Sequence, residues 1–66
     1  MRPSTLRFFD RTHLPAHLQE IVRPFAALAH EIADRGGAPA EVHAAIRKIL
    51  EAKDCAVRAA LFDIHQ

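Results

Sequence analysis

Arg35-Gly36-Gly37-Ala38-Pro39 is the stretch that decides the fold. Adjacent glycines accept the left-handed backbone that closes a helix C-terminus, and a following proline suits the first turn of a new helix. One helix stops here and another starts. A turn this short makes the two helices antiparallel neighbours.

Upstream of the turn, Leu14, Leu18, Ile21, Phe25, Leu28 and Ile32 follow one another in alternating steps of four and three. That rhythm puts them on one stripe of an amphipathic helix. His13-Leu14-Pro15 suits its start, since proline is tolerated in a first turn. Pro24 complicates it. Proline offers no N–H to the Glu20 carbonyl and disfavours α geometry at Arg23. The first helix is expected over residues 14–35, as a short piece near 15–22 bent at Pro24 into a longer one, both facing one core. Residues 1–13 read as an arm: Pro3, Ser4 and Thr5 oppose a helix, and Phe8-Phe9 is an adjacent pair without helical spacing.

Downstream, the second helix is expected over residues 39–62, with Glu41 at the positive end of its dipole. Two apolar stripes run along it. One is Val42, Ile46, Ile49, Ala56 and Ala60, widened by Ala45, Ala52 and Ala59; the other is Leu50, Val57, Leu61 and Ile64. A single partner helix covers one stripe well, so the second needs another surface, and the alanines would let a second backbone approach closely. Arg47, Glu51, Asp54 and Arg58 form a charged ladder toward solvent.

Length and composition point the same way. The chain has 66 residues, enough for one domain over 1–66. A chain of this size hides only about 60% of its unfolded surface, and its core needs a staple. Cys55 is the single cysteine, which excludes a disulfide within the chain. A closed zinc site takes four Cys or His ligands, against one cysteine and five scattered histidines. Association remains. The expected fold is all-α: an antiparallel helical hairpin with a short N-terminal arm or helix, assembling as a homo-oligomer. The competing reading is a loosely packed monomer that covers the excess with its arm.

Hydrophobic residues at 50% and charged residues at 26% describe a globular chain. No apolar run approaches the roughly 20 residues that span a bilayer, so no membrane partner is expected. The first ten residues lack the apolar stretch of a secretory signal. With a lone cysteine, that fits a reducing cytoplasm. A net charge of +1 lacks the strong footprint of a DNA binder.

Catalytic parts are scarce. Tyrosine and tryptophan are absent, Ser4 sits in the arm, and Cys55 reads as a small core residue beside Ala56. A nucleophile needs a base, an orienter and a dry pocket, which one hairpin does not build. The chain is expected not to be an enzyme and to use no cofactor. His13, His17 and Glu20 have helical spacing for a metal, but His13 precedes Pro15 and no further ligand follows, so no metal site is expected. His30 reads either as a boundary residue helping to satisfy helix-end carbonyls or as a polar contact to a ligand. Arg47, Lys48, Lys53 and Arg58 line the second helix, with Arg7, Arg11 and Arg23 upstream. A solvated charged face is the plain account of them. The alternative pairs Phe8 and Phe9, beside Arg7 and Arg11, as rings for bases and cations for phosphates. Equally, Phe8 or Phe9 plugs the open end of the hairpin.

Ala45-Ile46-Arg47-Lys48-Ile49-Leu50-Glu51-Ala52 resembles the Ala-Leu-x-Lys-Leu-x-Glu-Ala run of a phage hairpin domain found in anti-CBASS and anti-Thoeris cyclic-oligonucleotide sponges. Ala56, Ala59 and Ala60 continue the likeness, and Leu28-Ala29-His30 is similar to that family's Leu-Ala-His. Phe9 followed by His13, Pro15 and Gln19 is similar to its N-terminal segment. The resemblance covers roughly residues 9–61. Arg11 departs from it, standing where the family carries an aromatic, and Ala26 stands where it carries a basic residue. The Ser-Arg-Glu-like start of the second helix is reduced to Pro39-Ala40-Glu41.

The resemblance implies a phage immune-evasion protein that sequesters cyclic di- or trinucleotides of bacterial defence systems without cleaving them. It implies small hairpins assembled into compact oligomers, commonly hexamers, with nucleotide pockets between protomers. By position and chemistry, Phe8 or Phe9 is then expected to stack on a base. Arg11, Arg47, Lys48 and Lys53 are the expected phosphate partners, and His30 an auxiliary polar contact. The reading from a different class is an interaction module, a hairpin whose extra stripe docks on a host protein.

Overall fold

The computed structural model describes residues 4–62. A short 3-10 helix, Ser4–Phe9, leads into α1, Ala16–Arg35, and then α2, Pro39–Phe62. Among the described residues there is no strand, and the molecule is an all-helical hairpin.

The turn is built as its glycines dictate. Gly36 takes φ 72° and donates its N–H to the Ile32 carbonyl at 3.3 Å, closing α1. Gly37 at φ 118° reverses the chain. Pro39 then occupies the first position of α2, where its missing N–H costs nothing. The Ala38 carbonyl accepts from Glu41 and Val42 at 3.1 and 3.0 Å. At its other end α1 has no side-chain cap; the Pro15 carbonyl accepts from Leu18 and Gln19, each at 3.0 Å. Gln19 Nε2 also donates to the Leu14 carbonyl at 2.7 Å, tying the connecting segment down.

The structure refines the sequence expectations. Of the two forms expected for the N-terminal segment, arm or helix, the chain takes the helix. Its three-residue turn stacks Leu6 and Phe9 on one side, and both are buried, at 9% and 2% exposed. The spacing of three between Leu6 and Phe9, rather than the Phe8-Phe9 pair, carried that signal. Met1, Arg2 and Pro3 lie outside the described residues.

Helix α1 continues through Pro24, whose side chain faces solvent, so the two expected pieces form one element. The buried line is Leu18, Val22, Ala26 and Ala29, which shares only Leu18 with the large-residue stripe. On a 3.6-residue helix this line sits roughly 80° round from the centre of that stripe. Alanines at the contact let α2 come close, while Leu14, Phe25 and Ile32 pack against the core from one side. Leu28, farthest round, remains 46% exposed.

In α2, the two expected stripes straddle one inward face. Ile46 lies fully buried, with Val42 and Ile49 from one stripe and Leu50 and Val57 from the other packed against the core. Ala52 and Ala59 are exposed, as is Leu61, while Ile64 lies outside the described residues. Cys55 is exposed rather than buried. It follows Ile46 by nine residues, two and a half turns, which is the opposite side of the helix. The resulting core joins Leu6 and Phe9 of the 3-10 helix, Val22, Ala26 and Ala29 of α1, and Ile46 of α2.

Candidate functional site

Arg23, Ala26, Ala27 and His30 run along one flank of α1, the side away from Leu28. Arg23 and His30 are seven residues apart and so stand on one face, two turns from each other. The alanines between them leave the space above the helix unfilled. The segment after the 3-10 helix, Asp10, Arg11 and Thr12, forms the opposite wall, with Phe9 beneath. The result is an open hollow of about 390 Å³.

Its polar groups are partly pre-arranged. Asp10 Oδ1 accepts from the Thr12 N–H at 3.1 Å and from the Thr12 hydroxyl at 2.9 Å, a local turn that fixes the carboxylate. The Thr12 backbone N–H first, then its hydroxyl, hold the Asp10 carboxyl below its ordinary value of 3.8, so it is ionised at neutral pH. Arg23 pairs with Glu20 at 3.1 Å, an exposed contact that a stronger anion displaces at little cost. Arg11 is half-buried; its backbone carbonyl accepts from the Leu14 N–H at 3.1 Å, while its guanidinium makes no hydrogen bond or ion pair with the described residues.

The expected site residues divide into groups. Phe9, Arg11 and His30 meet in the hollow. Phe9, however, is a core residue at 2% exposure and has no free ring face for a base, which leaves Phe8 of the two residues expected to stack. Phe8 is 50% exposed outside the hollow, with the Arg7 guanidinium 4.9 Å from its ring centroid.

Arg47, Lys48 and Lys53 are not part of the hollow. Arg47 and Lys48 are exposed on α2. Lys53 lies on the inward line of α2, seven residues after Ile46. Its side chain is only 15% exposed and its ammonium turns to Asp54 Oδ1 at 2.7 Å. That pair replaces the Asp54 to Arg58 rung of the expected ladder. Arg58 instead donates to Cys55 Sγ at 3.3 Å.

Sequence reading missed Asp10 and Thr12, and passed over Arg23 as a hollow residue. The seven-residue step from Arg23 to His30, with alanines between, was the available signal. Among the described residues no three of His, Cys, Asp or Glu converge as a metal set, and no helix is long and apolar enough to cross a membrane. The chain matches no family model, no curated protein and no solved structure.

Proposed function

We propose that this chain is a homo-oligomeric binding protein that sequesters cyclic di- or trinucleotides without cleaving them. The observation that carries this reading is the hollow between the Asp10-Arg11-Thr12 segment and α1. There the guanidinium of half-buried Arg11, unpaired among the described residues, a second one weakly held on Arg23, and His30 share the lining with Ala26, Ala27 and Phe9. Guanidinium forks match phosphate oxygens, and an apolar floor takes the flat face of a base. The resemblance of α2 to phage cyclic-oligonucleotide sponges supports the same ligand class and places the activity in evasion of bacterial immunity.

The oligomeric part of the proposal rests on surface. Leu28, Leu61 and Phe62 are about half exposed and offer apolar area that a neighbouring copy would cover. Arg47, Lys48 and the exposed Phe8 point away from the hollow, so in this reading they reach a nucleotide only from a neighbouring copy. The same apolar residues favour the second reading, a hairpin that docks on a host protein.

Native mass spectrometry of the chain, alone and with cyclic di- and trinucleotides, separates the two. The sponge reading expects an oligomer that retains intact nucleotide. Arg11→Ala should keep the oligomer and weaken nucleotide binding by about 10- to 100-fold, the worth of a charged hydrogen bond. A monomer that retains no nucleotide would overturn the proposal and leave the docking module.

A further inference from the structure

The hollow holds a carboxylate as well as cations, and a site built for phosphate alone has no use for one. Asp10 lines it together with Arg11 and Arg23 yet pairs with neither. Both of its hydrogen bonds, from the Thr12 N–H and hydroxyl, fall on Oδ1. Among the described residues nothing donates to Oδ2, which therefore keeps its acceptor capacity while the turn with Thr12 holds it in place. Against a cyclic nucleotide, an ionised acceptor of this kind repels phosphate and attracts a donor-rich base edge.

Guanine presents two neighbouring donors, N1–H and the N2 amino group, on its Watson–Crick edge. Adenine presents one amino donor beside the N1 lone pair, and that lone pair would face the carboxylate. We propose that Asp10 makes the hollow selective for guanine-bearing cyclic nucleotides, with Oδ2 accepting from the guanine edge while Arg11 and Arg23 hold phosphate. This rests on the binding function proposed above and adds the identity of the base.

The bland account of Asp10 is a local turn with Thr12 and nothing more. It predicts no base preference, which makes the two accounts separable. Cyclic di-GMP and cyclic di-AMP share sugars, phosphates and ring size and differ only in the base. Isothermal titration of the full chain with each is expected to show cyclic di-GMP bound about 10- to 100-fold more tightly, the range for a hydrogen bond to a charged group. Asp10→Asn keeps an oxygen for Thr12 but replaces the free acceptor with an amide donor. It should bring the two affinities within a few-fold of each other, mainly by weakening cyclic di-GMP. Retained cyclic di-AMP binding in that variant shows that the hollow is intact.

Equal affinities in the unsubstituted chain, or a preference that survives Asp10→Asn, would overturn the role of Asp10 and leave nucleotide binding standing. Binding of neither probe by the unsubstituted chain would overturn the role of Asp10, and failure to bind cyclic trinucleotides as well would overturn the binding function with it.

Discussion

At the residue scale, two glycines carry the reversal, and neither does so by making room. A Cβ at Gly36 would meet nothing within 4 Å, and one at Gly37 would only touch Val42 at 4.0 Å. Their constraint is backbone conformation, φ 72° and φ 118°, regions that L side chains rarely occupy. Gly36→Ala is therefore expected to destabilise the hairpin by about 1–2 kcal/mol without any steric clash. Chemical denaturation should show a lower midpoint with an unchanged slope, since the surface buried on folding stays the same. The hollow is also decided at this scale. Arg11 and Asp10 are chain neighbours with opposite charges, yet Asp10 Oδ1 accepts from Thr12 and the two side chains do not pair with each other.

Among the elements, α1 is the one in conflict with itself. Its apolar rhythm supports one helix, yet Pro24 removes a backbone donor from its interior. Packing overrides the local preference: Val22 and Ala26, on either side of Pro24, are both buried against α2 and the 3-10 helix. The ring of Pro24 itself faces solvent, so replacing it removes no buried contact. Pro24→Ala should restore the hydrogen bond to the Glu20 carbonyl and stabilise the protein by about 1–3 kcal/mol. Thermal unfolding followed by circular dichroism should show a midpoint several degrees higher, and a lower one would mean that the proline bends α1 into a shape the core requires. In α2 the sharing of roles is geometric. Nine residues from Ile46 to Cys55 reverse the face, whereas seven from Ile46 to Lys53 keep it. The cysteine is thus outside, and the lysine stem lies along the core edge.

For the whole molecule, the limiting quantity is core volume. Among the described residues the buried side chains are Leu6, Phe9, Leu18, Val22 and Ile46 with two alanines, Ala26 and Ala29. A hairpin this thin keeps Leu28, Leu61 and Phe62 half exposed. If copies cover that surface, folding and assembly are linked by mass action. The unfolding temperature should then rise with protein concentration over about a hundredfold range. A concentration-independent midpoint would describe a monomer and count against assembly.

By itself, the sequence determined the hairpin and the turn that makes it. Gly36-Gly37 and Pro39 act through their own φ preferences and missing donors, and those are properties of a residue wherever it sits. The steps of four and three likewise announced α1 and α2, because helical periodicity is local. Which flank of each helix faced inward was not local. The large stripe of α1 promised more apolar area, but close packing favoured the alanine line, and only the partner helix revealed that choice. The paired stripes of α2 merged into one face for the same reason. The hollow belongs to the tertiary structure too: Arg11 and His30 are 19 positions apart in the chain, and packing of the 3-10 helix against the hairpin brings them to one place. Sequence supplied the charges, and the fold decided which of them share a wall.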